Sequence, residues 1–381
     1  MEKTVCYLGY YDIEKNKPEN RNYVLAATNK MTYIVSALEQ SGFSVKLISA
    51  SQTLNPQKYD GKVLDIGNNS KLILLKTLPW GNKLRRVCSR LYSQLQLLRC
   101  LKKQVKKGDT LLVYHSLAYA RLLTFFKKRK GFRLVLEVEE IYADVTGREK
   151  DRKTEQQLFA LADAYVFPTE LLNEKLNAAN KPHCIIYGTY QVEEDRHCSF
   201  NDGKIHAVYA GTFDPRKGGA QTVIQTAKFL DERYHVHIIG FGSKKDTENT
   251  IAAVKETAAD CICALTYDGC LSGEDYIRFL QSCQIGLSTQ NPEAKFNDTS
   301  FPSKVLSYLA NGLRVVSVRI PVVEHSAIGN LISFYSESTP KAIAQAILNV
   351  DMAKPYDSRA KIETLHEGFV QKIQSLLEAV Q

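Results

Sequence analysis

The sequence predicts an α/β protein of two facing, doubly wound domains, each with a parallel sheet covered by helices on both faces. Short strands rich in valine, isoleucine and leucine alternate with helical segments along the whole chain. The alternation restarts after a polar stretch at 191–203, as expected at a domain boundary. The length of 381 residues suits two domains of ordinary size.

The first domain is predicted over residues 1–190. It opens with a strand at 4–9 and a helix at 22–41, in which apolar residues recur at helical spacing until Gly42 ends the helix. Its further strands are predicted at 44–49, 71–78, 110–115, 133–138, 164–168 and 184–187, with helices at 82–107, 117–128, 155–162 and 169–178. Strands joined by such helices run parallel.

The second domain is predicted over residues 204–355, where the same alternation recurs. Strands are expected at 205–210, 235–239, 263–266, 285–287 and 315–318, and helices at 220–230, 247–256, 273–282, 303–311 and 340–349. A last helix at about 357–381 can pack back on the first domain. Both halves are therefore predicted to be Rossmann-like, and ligands of such sheets bind beyond the carboxyl ends of the strands.

The composition excludes several classes of protein. No apolar run reaches eighteen residues, so a membrane-spanning helix is not expected. The charged start of the chain lacks the apolar core of a signal peptide, which favours a cytoplasmic location. The nine cysteines do not follow the spacing of a zinc site. We therefore expect neither a metal nor another cofactor.

Positive charge is concentrated in one part of the first domain. Residues 71–133 carry seventeen Lys and Arg against one acid, Asp109, whereas the whole chain has a net charge of +9. Most of this charge lies on the helix at 82–107, which is either a core helix with a solvated basic face or a docking element for an anionic inner leaflet. We favour peripheral membrane contact. Nucleic acid is not an expected partner, because neither a zinc finger nor an aromatic RNA-binding motif accompanies the charge.

Two strand-end loops of the second domain have the residues of a phosphate site. The first strand ends at Gly211, and Arg216 and Lys217 follow just before a helix. Cations beside a helix start suit a diphosphate. The next strand ends in Gly240 and Gly242, and glycine lets a ligand approach the backbone closely. Ordinary β–α turns with solvated cations remain the alternative.

The segment 297–312 carries the strongest signal, because a polar loop leads directly into a helix. Ser300 lies in the loop, and Ser303 and Lys304 begin the helix after a proline. Free backbone N–H groups and the helix dipole favour an anion there by roughly 0.3–1 kcal/mol per charge. The alternative is an ordinary capped helix.

The second half resembles the GT-B glycosyltransferases, in particular the retaining bacterial enzymes (family 4-like) that build surface polysaccharides. Three segments carry the resemblance, namely YAGTFDPRKGG, IIGFG and SFPSKVLSYLANGLRVVS. The resemblance implies a nucleotide-sugar donor, a UDP- or GDP-sugar, held by the second domain, and a saccharide or lipid-linked acceptor. It covers residues 205 to about 325, whereas the first half fits the fold more than any motif.

The resemblance also implies roles for single residues. Arg216 and Lys217 would neutralise the donor diphosphate, and Gly211, Gly240 and Gly242 would let the nucleotide approach. The serines Ser300 and Ser303 and the cation Lys304 would hold phosphate or sugar hydroxyls.

The chain departs from the family pattern at two places. Relatives often carry two glutamates eight positions apart, where this sequence has Thr299 and Ser307. Asp298 could take the place of the first glutamate in touching the donor sugar, with a register shift of one. The second glutamate usually binds the ribose in relatives, so that contact is in question here.

Three carboxylates end the strand at 133–138 in the first domain, where relatives often have His-Asp facing the transferred sugar. Glu139 and Glu140 are predicted to be catalytic, with Glu137 on the acceptor side. Carboxylates this close repel one another, which can raise a pKa towards that of a general base. The alternative is a solvated acidic loop.

The end of the first strand supplies further acceptor-side candidates, Tyr10, Tyr11 and Asp12. His115 ends another strand and suits packing as well as function.

The sequence thus predicts a glycosyltransferase that moves a sugar from a nucleotide-diphosphate-sugar to an acceptor hydroxyl in polysaccharide or glycoconjugate assembly, without a required metal. Two alternatives stay open. One is a UDP-sugar epimerase on the same architecture. The other is a glycosyltransferase-like partner subunit that has lost its chemistry, which the departures at Thr299 and Ser307 favour.

Overall fold

The computed structural model describes residues 3–214, 219–293, 297 and 299–380. The chain divides into two compact units. Unit 1 comprises Met1–Thr189 and Glu367–Gln381, and unit 2 comprises Tyr190–His366. Each unit contains one sheet with helices packed against it.

The eight strands of unit 1 are β1 (Lys3–Gly9), β2 (Phe43–Ser49), β3 (Lys62–Ile66), β4 (Ser70–Leu74), β5 (Thr110–Tyr114), β6 (Arg133–Glu137), β7 (Ala164–Phe167) and β8 (His183–Ile185). They lie in the order β3-β4-β2-β1-β5-β6-β7-β8. All neighbouring strands pair in parallel except β3 and β4, which form an antiparallel pair at the edge. The central strands β1, β5, β6 and β7 are mostly apolar and buried, which is why they appear as nearly continuous hydrophobic runs in the sequence.

The helices of unit 1 are α1 (Leu25–Gln40), α2 (Lys83–Gln104), α3 (Ala120–Lys130), α4 (Tyr142–Thr146), α5 (Glu149–Leu161) and α6 (Glu170–Leu176). The C-terminal part of the chain's last helix, α13 (Ser358–Ala379), also packs in this unit. Its Phe369 stacks on Tyr33 of α1, with ring centroids 5.9 Å apart.

Unit 2 has a six-stranded, all-parallel sheet. Its strands are β9 (Ile205–Thr212), β10 (Tyr234–Phe241), β11 (Ala264–Gly269), β12 (Ile285–Ser288), β13 (Arg314–Val318) and β14 (Ile332–Tyr335), in the order β11-β10-β9-β12-β13-β14. The helices are α7 (Gly219–Thr226), α8 (Lys244–Ala258), α9 (Gly273–Ser282), α10 (Ser303–Ala310), α11 (Pro321–Glu324) and α12 (Pro340–Leu348).

Both sheets have the strand order of the doubly wound fold. The chain moves outward from a central strand in one direction, then returns and moves outward in the other. The order reverses between β1 and β5 in unit 1, and between β9 and β12 in unit 2. Ligands of such sheets bind at the carboxyl ends of these central strands, where loops diverge and leave a crevice. The predicted α/β fold with Rossmann-like domains is confirmed.

Over its first half, helix α2 does not pack as a core helix, which is one of its two sequence-based interpretations. Its first three turns bury the small side chains Ser89 and Ser93 and leave the apolar side chains exposed, namely Leu84, Val87, Leu91 and Leu95. The core-facing apolar contacts begin only at Leu97 and Leu101. Within the described ranges, no helix combines the length and the apolar character needed to cross a bilayer.

Candidate functional site

Helix α10 is fixed to the sheet of unit 2 by one buried tyrosine. The Tyr308 hydroxyl accepts a hydrogen bond from the Ala210 N–H at 2.9 Å and donates to the Leu287 carbonyl at 3.4 Å. A Cβ at Gly286 would lie 2.3 Å from the Tyr308 Cγ, so the ring occupies space that only glycine leaves open. The tyrosine thereby sets the start of α10 against the ends of β9 and β12, where the strand order reverses.

Lys304 lies one helical turn before Tyr308, on the same face of α10. Its ammonium sits 4.0 Å from the centroid of the Tyr209 ring. A Cβ built on Gly211 would be 3.1 Å from the Lys304 Nζ. A cation from the start of a helix therefore lies against a glycine near the end of the central strand β9. Both are sequence-predicted site residues.

The start of α10 is polar and open. Its N-cap residue is Pro302, whose side chain gives the first turn no capping hydrogen bond. Ser303 is exposed, whereas the Ser300 Oγ is buried without a hydrogen-bond partner among the described residues. Buried hydroxyls are nearly always paired, so this orphan is a candidate for ligand contact.

Gly240 allows the ends of β9 and β10 to approach closely. It has φ +138°, and a Cβ there would lie 1.8 Å from the Gly211 carbonyl oxygen. At Gly242, a Cβ would come within 3.1 Å of the Cβ atoms of Phe213 and Asp246. Both predicted glycines therefore lie at the same sheet edge as Gly211.

A depression of about 600 Å³ opens beside these glycines. Its lining includes Gly242 and the aromatic side chain Phe241, which is 58% exposed. The volume lies in the range of ordinary small-ligand sites, about 300–1,000 Å³. Phe241 is not among the sequence-predicted site residues, although an exposed aromatic between two strand-end glycines is a visible signal.

Three predicted residues, Arg216, Lys217 and Asp298, lie outside the described residues. Gly219, the first described residue after the two cations, begins α7, and its carbonyl oxygen accepts a hydrogen bond of 2.9 Å from the Thr289 Oγ1. Thr289 directly follows β12, so the start of α7 lies at the reversal point of the sheet.

The carboxylates of unit 1 have different environments. Glu137 is fully buried at the end of β6, where the Tyr7 hydroxyl donates to its Oε2. Its Oε1 is buried without a hydrogen-bond partner among the described residues. Burial, reinforced by the nearby Glu139 carboxylate, raises the pKa of Glu137 to about 8. Glu137 is therefore a neutral acid at pH 7.

Glu139 forms an ion pair with a buried cation. The Lys30 Nζ lies 2.5 Å from its Oε1 and 3.3 Å from the Ile186 carbonyl oxygen. Glu140 is half-buried, and burial together with the Glu139 charge raises its pKa above the usual value. Carboxyls whose pKa is raised by burial and by a neighbouring charge are typical of functional sites.

The other acceptor-side candidates take part in the packing of unit 1. The Tyr11 hydroxyl pairs with the Thr32 Oγ1 at 2.9 Å, and the buried Asp12 accepts two hydrogen bonds from the Asn16 amide. Burial raises the pKa of Asp12 despite these bonds. Tyr10 is partly exposed and stacks on Tyr119, with ring centroids 5.4 Å apart.

His115 is buried at the end of β5. Its ring stacks on Tyr142 with centroids 4.6 Å apart, and its Nε2 lies 3.5 Å from the Glu155 Oε1. Burial lowers the pKa of His115 to about 4, so the ring is neutral and packed at pH 7.

The whole chain is similar in structure to several solved glycosyltransferases. A UDP-forming α,α-trehalose-phosphate synthase from Burkholderia xenovorans matches with a TM-score of 0.66 and 11% sequence identity, over 100% of this chain and 99% of that one. A trehalose-6-phosphate protein from E. coli, solved with bound UDP-2-fluoro glucose, matches with a TM-score of 0.65 and 11% identity, covering 99% and 98% of the two chains.

The sucrose-phosphate synthase of Thermosynechococcus elongatus matches with a TM-score of 0.60 and 13% identity, over 99% and 96% of the two chains. No protein-family model matches the sequence, and no curated protein is similar to it in sequence. The fold is that of the GT-B glycosyltransferases, which have two Rossmann-like domains. These similar structures are sugar-phosphate synthases rather than members of the surface-polysaccharide group that the motifs resemble.

Proposed function

We propose that the chain is a glycosyltransferase that moves a sugar from a nucleotide-diphosphate-sugar to an acceptor hydroxyl. The observation that carries the proposal is the position of the Lys304 ammonium, beside Gly211 and at the open start of α10. A cation beside a helix start, at the reversal point of a doubly wound sheet, forms a site for a diphosphate. The similar E. coli structure, solved with UDP-2-fluoro glucose, supports a UDP-sugar or the related GDP-sugar.

In this proposal the second unit stabilises the leaving group. As the acceptor oxygen bonds to the anomeric carbon, the bond from that carbon to the diphosphate oxygen breaks and negative charge grows on the diphosphate. Lys304 and the N–H groups of α10 offset that charge, with Arg216 and Lys217 as the further predicted cations. These cations perform the task that a metal performs in other transferases, so no metal is needed for this step.

The acceptor side is assigned to the carboxylates at the end of β6. Glu139 and Glu140 are the proposed catalytic groups. Glu137, with its raised pKa, stays protonated and adds no negative charge beside them. Burial raises the pKa of Glu140, which makes it a better proton acceptor than a solvated carboxylate. Asp298 remains a proposed contact of the donor sugar.

A titration and an activity assay test the proposal. Isothermal titration with UDP, GDP and their sugars should give binding of one nucleotide series. Lys304→Met keeps the aliphatic stem and should weaken binding about 10- to 100-fold, the usual effect of losing a charge-assisted contact. Lys255→Met removes an exposed cation from α8 and should leave the affinity unchanged. If neither nucleotide series binds the wild type, the donor-site proposal fails.

The inactive-subunit alternative rests on one contact. Where relatives often carry the second glutamate, the Ser307 Oγ lies 3.4 Å from the Tyr276 hydroxyl. A serine so placed supplies no carboxylate for a ribose. Donor binding without hydrolysis or transfer to any acceptor would favour this alternative, whereas interconversion of free UDP-sugars would favour an epimerase.

For the acceptor we propose a saccharide or lipid-linked molecule of bacterial polysaccharide or glycoconjugate assembly, met at the cytoplasmic face of the membrane. The support is the surface of α2, which carries seven Lys and Arg and not one acid. Four apolar side chains on this helix are 46–72% exposed, namely Leu84, Val87, Leu91 and Leu95. They recur every three or four residues and so share one face of the helix.

The start of α1 extends this apolar surface. The Gln52 side chain accepts a hydrogen bond from the Ser89 hydroxyl of α2. The Gln52 backbone N–H donates to the Asn22 Oδ1, and the Gln52 carbonyl oxygen accepts from the Asn22 N–H. Val24 and Leu25 follow Asn22 and are 65% and 66% exposed. Apolar side chains ringed by cations suit an anionic bilayer surface, where each Lys or Arg adds about 1 kcal/mol.

Vesicle sedimentation tests the membrane proposal. The protein should bind vesicles of phosphatidylglycerol and phosphatidylcholine, and lose most binding to pure phosphatidylcholine or in high salt. A Leu84→Ser, Leu91→Ser double variant should bind at least tenfold more weakly. Val63→Ser, which alters an exposed side chain of the edge strand β3, is the matched control. Equal binding by both variants would refute docking through α2.

A further inference from the structure

Three histidines of unit 2 lie together on one face of the sheet. His206 is near the start of β9, and His235 and His237 are near the start of β10. The strand register pairs His206 with His235, and alternate residues of a strand point to the same face. One ring nitrogen of each histidine lies within 4.8 Å of those of the other two.

Carboxylates fix the orientation of two of these rings. The His206 Nε2 is 2.9 Å from Asp202 Oδ1, and the His237 Nδ1 is 3.0 Å from Asp268 Oδ2. An ionised carboxylate only accepts hydrogen bonds, so both of these outer nitrogens carry the ring proton. The inner nitrogens, His206 Nδ1 and His237 Nε2, then face each other with their lone pairs, 2.8 Å apart.

Two lone pairs at this distance repel unless a cation lies between them. The facing pair is shielded from water, because His206 and His237 are about 1% exposed and the Phe200 ring stacks on both, with centroids 4.1 and 5.1 Å away. His235, the third member, is partly exposed. The close approach of the two inner nitrogens therefore calls for a bound positive charge.

We propose that His206, His235 and His237 bind one divalent first-row transition metal ion, with Zn²⁺ as the best fit. Imidazole nitrogens are preferred ligands of Zn²⁺, and a carboxylate that accepts from the outer nitrogen is the usual support for a metal-bound histidine. Asp202 and Asp268 already accept from the outer nitrogens of two of the three proposed ligands.

The geometry requires small movements of the rings. Zn–N bonds of about 2.0–2.1 Å place the nitrogens of a tetrahedral site roughly 3.3–3.4 Å apart. The inner pair therefore opens by about half an ångström, and His235 rotates inward. The Thr266 Oγ1, which is 3.0 Å from the His235 Nε2, lies beside the site and can yield to this rotation or approach the ion.

The site differs in place and role from the proposed donor site. His206 precedes Gly211 by five residues on β9, which is about 16 Å along a strand. An ion here connects β9, β10 and the segment of Asp202 that leads into β9. Its role is to stabilise unit 2 rather than to take part in sugar transfer.

Metal titration of the full chain tests the inference. After dialysis against a chelator, the wild type should bind one equivalent of Zn²⁺ in competition with a chromophoric chelator, and Co²⁺ should give the intense visible bands of a four-coordinate site. His237→Ala should abolish binding, and Asp268→Asn should weaken it about 10- to 100-fold. His325→Ala, an exposed histidine of the same unit, should bind like the wild type.

Two outcomes would overturn the inference. In the first, the His237→Ala and Asp268→Asn variants bind Zn²⁺ as tightly as the wild type does, so the ion lies elsewhere. In the second, the wild type binds neither Zn²⁺ nor Co²⁺. A proton shared between His206 and His237 then accounts for their short distance. The Co²⁺ spectrum of the wild type decides the question even if the variants fold poorly.

Discussion

The buried acid Glu137 should make the stability of unit 1 depend on pH. Its pKa rises from 4.5 to about 8 in the folded chain because burial and Glu139 disfavour the charged form. Between these two pH values the folded state keeps a proton that the unfolded state has released. The free energy of unfolding therefore falls by about 1.4 kcal/mol per pH unit across this window, as linkage requires.

The magnitude follows from the size of the shift. A displacement from 4.5 to about 8 corresponds to a total loss of roughly 4–5 kcal/mol, complete above pH 8 and absent below pH 4.5. Glu137→Gln replaces the neutral acid with an amide of the same shape that does not titrate. The variant should therefore gain stability relative to the wild type as pH rises from 5 to 8.

The single tryptophan makes the measurement specific. Trp80 lies in unit 1, so urea unfolding followed by its fluorescence reports this unit. Glu174→Gln, at an exposed position of α6, is the matched control and should follow the wild type at each pH. If the difference in unfolding free energy between the wild type and Glu137→Gln stayed constant from pH 5 to 8.5, the raised pKa of Glu137 would be refuted.

Two further substitutions test the packing of each unit. Gly240→Ala places a Cβ 1.8 Å from the Gly211 carbonyl oxygen and should lower the free energy of unfolding of unit 2 by more than about 3 kcal/mol. The control Gly269→Ala, at φ +90° with open space around it, should lower it by only about 1–2 kcal/mol through backbone strain. Hydrogen exchange of the amides in β9 and β10 measures the difference. Phe369→Ala removes a buried ring from the stack on Tyr33 and should cost unit 1 about 3–5 kcal/mol in the Trp80-detected unfolding, which a loss below 1 kcal/mol would contradict.

Most of the fold could be predicted because buried parallel strands are apolar on both faces and therefore visible as continuous runs. The predicted helix at 273–282 has the observed bounds of α9, Gly273–Ser282. The edge strand β3 escaped prediction because Lys62–Ile66 is short and half-exposed and has charged residues at two of its five positions. Edge strands with one solvated face give only a weak signal.

Helix α2 shows where periodicity alone misleads. The spacing of Leu84, Leu91 and Leu95 marks an apolar face but carries no information about what covers it. In the structure the buried side of its first half carries Ser89 and Ser93, and the Ser89 hydroxyl donates a hydrogen bond to Gln52. Composition predicted the helix and its charge, whereas the choice of buried face needed the packing of the whole unit.

The candidate sites depended on strand register, which the sequence does not supply. The sequence predicted a role for Lys304 because this residue lies at the start of a helix. Its position beside Gly211, however, follows from the contact of Tyr308 with β9. In the histidine cluster only the spacing of His235 and His237 was visible. The partner His206 is 29 residues before His235, and only the pairing of β9 with β10 brings them together.

The interlock of Gly286 and Tyr308 has an evolutionary consequence. Any side chain at position 286 would collide with the ring, and any residue without a ring hydroxyl at 308 would leave the Ala210 N–H unpaired. Neither position can change alone without loss, so the two should be inherited as a pair. A homologue in which only one of the two residues is replaced should therefore have α10, the helix that carries Lys304, in a shifted position.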